Sequence, residues 1–146
     1  MSRPDWNKYY LDIAKAVAQR STCLRRRYGA VIVKDNRIVS TGYNGSPRGS
    51  ENCTDTGNCI RRKQNVPHGE RYELCCSVHA EANAIINASP VDLVDSTLYL
   101  YGDESYTSYD SWFRKTIKYL SLTAKPCMMC ERLIQNARIK EVVNEA

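Results

Sequence analysis

The spacing of apolar and polar positions divides the chain into alternating helices and strands. Across residues 5–19 apolar side chains recur at Tyr9, Tyr10, Ile13, Ala14, Val17 and Ala18. That 3.6-residue period predicts a helix, with Asp5 or Asn7 as its cap. Residues 30–33 and 38–41 are β-rich runs joined by Lys34-Asp35-Asn36-Arg37, a hairpin-length turn with Asp and Asn where positive φ is tolerated. The second run leads into Gly42-Tyr43-Asn44-Gly45-Ser46-Pro47-Arg48-Gly49, a loop whose glycines let backbone approach a ligand closely. Residues 50–76 are polar and without period, an unusually long irregular stretch that calls for a staple. Helices are predicted over residues 79–88 and 126–136, and strands over 97–101 and 139–143.

Strands alternating with helices after an initial hairpin predict an α/β fold, a three-layer α/β/α sandwich around a mixed central sheet of about five strands. The stretch 102–122 fits no period clearly. Its Tyr106, Tyr109, Trp112, Phe113 and Tyr119, with Tyr101 just before, could form a base-stacking wall, a subunit contact or a packed flap, and packing is the plainer expectation. Nothing resembles a repeat or a linker, so residues 1–146 are expected to form one domain.

Composition narrows the classes. With 42% hydrophobic and 25% charged residues, the chain reads as an ordinary globular protein. It has no run of about 18 apolar residues for a membrane span, and residues 1–10 lack the apolar core of a secretory leader. A cytoplasmic location is therefore expected. Seven cysteines, including adjacent Cys75 and Cys76, fit metal ligation and free thiols better than a disulfide framework. A formal charge of +5 permits an anionic ligand without demanding a nucleic acid.

The chemistry concentrates in His79-Ala80-Glu81 and Pro126-Cys127-Met128-Met129-Cys130. A helix beginning near His79 presents its imidazole in the first turn and turns Glu81 elsewhere. Pro126 suits the first turn of a second helix, on which Cys127 and Cys130 share a face near free N–H groups that favour thiolates. His79, Cys127 and Cys130 make the three-ligand set of a catalytic zinc with an open fourth position, and Glu81 is left free to move protons. Taken alone, Cys-x-x-Cys reads more readily as half a zinc finger or a redox pair, and a lone histidine as a cap. The pairing with His-x-Glu is what changes that reading. A second zinc could staple the long loop through Cys23, Cys53, Cys59 and Cys75, with His68 as a substitute ligand. Scattered free thiols, or a site using Cys76, are equally open.

His-x-Glu followed by Pro-Cys-x-x-Cys is the signature of the zinc nucleobase deaminases, and the chain resembles the cytidine deaminase superfamily. The resemblance covers nearly the whole chain and is closest to the deoxycytidylate deaminase family. It rests on Ser21-Thr22-Cys23-Leu24-Arg25-Arg26, Gly29-Ala30-Val31-Ile32-Val33, the 42–49 loop, His79-Ala80-Glu81-Ala82-Asn83-Ala84-Ile85 and the Pro126 to Cys130 motif. It implies the sandwich fold, a homo-oligomer that is commonly a hexamer, and hydrolysis of dCMP to dUMP and ammonia by a zinc-activated hydroxide, with Glu81 as proton shuttle. It further implies activation by dCTP and inhibition by dTTP through the Gly-Tyr-Asn-Gly loop, with Mg2+ accompanying a bound triphosphate. Asn44, Arg26, Ser46 and the Ala80 main chain are expected at the substrate, and Gly45, Arg48 and Arg25 at an effector or phosphate. Arg25, Arg26, Arg27 and Arg48 flank the segments that approach the site, as a nucleotide phosphate requires, although any single arginine is more often a solvated charge.

Other readings are a deaminase of another cytosine nucleotide or nucleoside or of a base in tRNA or single-stranded DNA and, more remotely, a non-catalytic zinc-stabilised nucleic-acid-binding module. A purely structural zinc has no use for Glu81 beside an open coordination position. The sequence departs from the family pattern at Tyr28, where valine is frequent, and at Arg138, where glycine is common. Its aromatic segment before Lys125 is longer than in many members, and similar proteins usually continue past the last predicted strand.

Overall fold

The computed structural model describes residues 2–145. Its elements run α1 (Trp6–Ala18), β1 (Arg26–Lys34), β2 (Arg37–Tyr43), the single-turn helices α2 (Cys53–Thr56) and α3 (Ile60–Lys63), a 3-10 turn (Tyr72–Leu74), α4 (Ala80–Ile86), α5 (Pro90–Leu93), β3 (Thr97–Tyr109), β4 (Lys115–Leu122), α6 (Met128–Asn136) and β5 (Glu141–Val143). The five strands form one mixed sheet of order β2-β1-β3-β4, with β5 parallel to β3 on the edge that β4 takes further along. The α/β/α sandwich expected from the sequence is the one observed.

Each layer follows from strand alternation. On one face α1, capped by the Asp5 side chain accepting from the Lys8 N–H at 2.8 Å, packs Tyr10 and Ala14 on Val31, Val33 and Tyr99. On the other, Ala80, Ala84, Leu93 and Ile134 from the later helices cover Ala30, Ile32, Leu98 and Leu100. Four of these sheet residues, Ala30, Ile32, Leu98 and Leu100, are fully buried, so this second face is the main core. Gly42 lets α4 approach: any Cβ there would collide with the main chain at Ala80 and Ala84. That contact sets the start of α4, and with it His79, directly against the sheet.

Besides the unpredicted single turn α5, the structure differs from the expected elements in three places. β1 starts at Arg26 rather than at residue 30, because Arg26 to Gly29 pair with Glu104 to Tyr101 of β3; strand pairing overrides weak local preference. The unreadable 102–122 stretch is a hairpin, an extension of β3 turning into β4. Asp110 builds its turn without glycine, its Oδ1 accepting from the Trp112 and Arg114 N–H groups at 2.9 Å each, while Phe113 takes a φ of 58°. The aromatics at its tip are not packed on this chain, Trp112 being 78% and Phe113 89% exposed, whereas Tyr119 stacks against the Arg27 guanidinium, 3.4 Å from the ring centroid. The 50–76 loop contains the two single-turn helices and the 3-10 turn. Arg138 adopts a φ of 62° at the exit of α6, a strain of about 1 kcal/mol for a residue with a Cβ.

Candidate active site

Two helix starts converge on the core face. His79 is the N-cap residue of α4, and Cys127 that of α6, with its sulfur accepting from the Cys130 N–H. His79 Nδ1 lies 3.4 Å from Cys127 Sγ and 3.4 Å from Cys130 Sγ, and all three ligand atoms fall within 4.8 Å of one another. A tetrahedral zinc with Zn–N about 2.0–2.1 Å and Zn–S about 2.3 Å spaces its ligands by roughly 3.5–3.8 Å, so this donor set fits the ion.

The electrostatics fit it as well. Burial holds His79 below its ordinary value, which keeps the imidazole neutral and able to coordinate. Burial, together with the neighbouring Glu81 and Cys127, pushes the Cys130 thiol far up in the absence of a cation. A divalent ion reverses that balance, because it compensates thiolates that would otherwise crowd a buried acid. Glu81 is only 5% exposed; burial raises its pKa, partly offset by hydrogen bonds to a backbone N–H and to Cys130. A buried carboxyl with a raised pKa, placed beside the ligand set, has the properties that proton transfer requires.

These groups sit in a cavity of about 410 Å3. Arg25, Arg26 and Lys125 give it a cationic rim, and the buried Arg61 adds its charge from below while its guanidinium donates to the Pro67, Glu70 and Arg71 carbonyls. Tyr72 closes one side with its ring edge-on to His79, 5.7 Å between centroids. Arg26 is held by Glu104, 3.2 Å from Nε, and by His68, whose Nδ1 lies 2.9 Å from Nη1. Asn44 lines the cavity but is also a clamp: its Oδ1 accepts from the Tyr28 N–H at 2.8 Å and its Nδ2 donates to the Arg26 carbonyl at 2.9 Å. One proton and one lone pair of the amide stay free for a ligand. Ala80 is fully buried as the first residue of α4, where backbone N–H groups lack helical partners.

Other expected residues lie elsewhere. Ser46, expected at the substrate, instead lines a second cleft of about 330 Å3 with Gly45, Arg48, Arg20 and Asn87. Arg48 donates to Asn87 Oδ1 there at 2.7 Å. Gly45 is bonded in both directions to Val78, its N–H to the Val78 carbonyl at 3.1 Å and its carbonyl to the Val78 N–H at 2.7 Å. Arg25, expected at an effector or phosphate, lines the catalytic cavity, and Arg27 faces away from it, paired with Asp103. Cys23, Cys59 and Cys75 also line that cavity. Burial, with Cys76, Cys23 and Cys59 nearby, pushes the Cys53 thiol up to about 12. Among the described residues, however, these thiols are not drawn to coordinating distance as a group, and the metal-capable group is His79, Cys127 and Cys130. His68 lies against Arg26. Sequence reasoning missed Tyr28, Tyr72, Arg61 and Lys125 as cavity residues; for Tyr28 the signal was available, since it continues the Ala30, Ile32 alternation by two residues.

Fold and ligand set define a zinc-dependent hydrolase. The model of the cytidine and deoxycytidylate deaminase zinc-binding region matches residues 4–146. The deoxycytidylate deaminase of Mycobacterium phage D29 is 40% identical over 148 residues, 98% of this chain and 96% of that protein. The human deoxycytidylate deaminase is 32% identical over 140 residues, 95% of this chain and 64% of its own, and for the Schizosaccharomyces pombe enzyme the match is 36% over 97% of this chain and 37% of that one. The crystal structure of the dCMP deaminase from cyanophage S-TIM5 in apo form shares the fold at a TM-score of 0.60 and 24% identity, covering 97% of this chain and 82% of that one. The chain belongs to the cytidine and deoxycytidylate deaminase family. No helix among the described residues is long and apolar enough to cross a membrane.

Proposed function

We propose that the protein hydrolyses dCMP to dUMP and ammonia. The observation that carries this reading is the meeting of His79 Nδ1 with two sulfurs at 3.4 Å each, beside a buried Glu81, at the inner end of a cavity with a cationic rim. The relatives named deoxycytidylate deaminase supply the substrate class.

His79, Cys127 and Cys130 would hold the zinc, which when bound supplies a Lewis acid that brings the pKa of water from 15.7 to about 7. Glu81 accepts one proton of the attacking water and delivers it to N3 of the cytosine as oxygen bonds to C4; it then takes the proton of the new C4 hydroxyl and passes it to the amino group, whose bond to C4 breaks as the carbonyl forms. Net, water adds its oxygen at C4 and ammonia leaves. The Ala80 N–H group is suited to steady charge developing at the reacting centre. Arg25, Arg26 and Lys125 face a phosphate monoester, and the spare donor and acceptor of Asn44 face the sugar or base edge.

The second cleft is the candidate place for a regulatory nucleotide, activating as dCTP and inhibiting as dTTP, with Mg2+ on the triphosphate. What supports it is the reciprocal Gly45–Val78 pairing, which ties the cleft to the residue preceding His79. A homo-oligomer, a hexamer in the family pattern, and a cytoplasmic setting with reduced thiols complete the reading. Ammonia release from dCMP, cytidine, dCTP and a tRNA, each with and without dCTP and dTTP, tests it. Turnover of dCMP above the others is expected; release from tRNA alone would replace this reading with a polynucleotide deaminase, and no release from any of them would refute deamination.

A further inference from the structure

Tyr28 lines the catalytic cavity, and no step described above uses it. Strand alternation puts it on the face of Ala30 and Ile32, the face that α4 and α6 cover. Its backbone is fixed in both directions by Asn44, whose Oδ1 accepts from the Tyr28 N–H at 2.8 Å and whose own N–H donates to the Tyr28 carbonyl at 3.3 Å. Its ring is fixed by what lies across the sheet. Gly102 is its register partner on β3, and a Cβ there would stand 2.6 Å from Tyr28 Cε1 and 3.0 Å from Leu122 Cδ1. The missing side chain of Gly102 is the slot that receives the ring.

Two residues back on the same face is Arg26, about 7 Å away at roughly 3.3 Å per strand residue. Arg26 belongs to the cationic rim, whereas Tyr28 packs on the buried core cluster and lines the same cavity as the buried Glu81. The order from rim to core is therefore guanidinium, phenol, carboxylate, which follows phosphate, sugar and base in a nucleotide whose base must reach Glu81. Burial raises the phenol's pKa, more than Arg26 lowers it, so the hydroxyl remains a neutral donor and acceptor.

The geometry points to Tyr28 as a specificity-determining residue: its immobilised ring limits the size of base that can reach Glu81, and its hydroxyl helps to orient the nucleotide. This rests on the deaminase reading above. It assigns Tyr28 a role in choosing substrate rather than in moving protons.

The test compares kcat and KM of the zinc-loaded enzyme and its Tyr28→Phe, Tyr28→Val and Tyr28→Leu variants on dCMP, 5-methyl-dCMP and dAMP, with zinc content and Tm recorded for each. Tyr28→Phe should raise KM for dCMP by about 3- to 10-fold, with kcat within about twofold, as expected for one lost hydrogen bond in binding. Tyr28→Val or Tyr28→Leu should raise the kcat/KM of at least one larger base, relative to dCMP, by about 10-fold or more. Ratios within about twofold of the unsubstituted enzyme in both aliphatic variants, with zinc retained, would overturn the inference and leave the deaminase reading standing. Failure of the unsubstituted enzyme to turn over any of the three nucleotides would instead overturn the substrate reading, and this inference with it.

Discussion

Two groups of cysteines surround one cavity, and the fold treats them differently. Cys127 and Cys130 stand at the start of α6, opposite His79 at the start of α4, and both helices lie on a sheet face whose central residues are fully buried. Cys23, Cys53, Cys59 and Cys75 sit on connecting segments built from single turns, and their sulfurs are near one another without converging. Helix starts packed on a sheet have little freedom, so the fold itself holds their ligands at coordinating distance. Loop ligands carry no such constraint. The contrast teaches that spacing in sequence predicts a metal site only where rigid elements bring both halves of the ligand set together.

The sharpest way to probe this contrast is to separate chemistry from ligation inside the rigid group. Glu81→Gln keeps the shape of the side chain and removes its proton transfer, so kcat should fall by about 10³-fold while zinc stays at its original stoichiometry, read by steady-state kinetics and metal analysis. Normal turnover in that variant would remove Glu81 from the mechanism. Cys127→Ala should lose activity as completely and lose the zinc too, because two ligands cannot hold the ion that three do; full metal retention would contradict the ligand set.

The loop group should respond far less. Cys53→Ser is expected to leave zinc at one ion per chain and kcat/KM within about threefold. A fall from two ions to one would show instead that the loop thiols close around a metal of their own. The smallest effect concerns His68, which burial and the guanidinium groups of Arg26, Arg25 and Arg61 hold below its ordinary 6.5. The unfolded chain takes up that proton first as pH falls, so stability is full above about 6.5 and declines as pH drops toward the lower folded value. In His68→Asn the slope of Tm against pH below 6.5 should flatten, by an amount limited by the exposure of the imidazole.

Legibility in the sequence follows the same contrast. His79, Glu81, Cys127 and Cys130 were readable because each half-site is a fixed spacing on one helix start, and the β-rich runs at residues 30–33 and 38–41 marked the β1–β2 hairpin. What was hidden depends on partners distant in sequence. Arg26 to Gly29 become strand only because β3 pairs with them, so Tyr28 and Arg26 were not seen together on the cavity side. The β3–β4 hairpin lacks a glycine turn, and the Asp110 side chain that replaces it gives no hydrophobic signal. Ser46, expected at the substrate from the family resemblance, follows Gly45, where Val78 pins the chain, and lines the other cleft.

Zinc K-edge X-ray absorption on the purified, zinc-loaded protein tests the central claim most directly. A first shell of one nitrogen and two sulfurs, completed by one light atom from solvent, is the predicted result. A shell of four sulfurs, with nothing from solvent, would mean that the ion lies among the loop thiols and that the pocket beside Glu81 has no metal chemistry of its own.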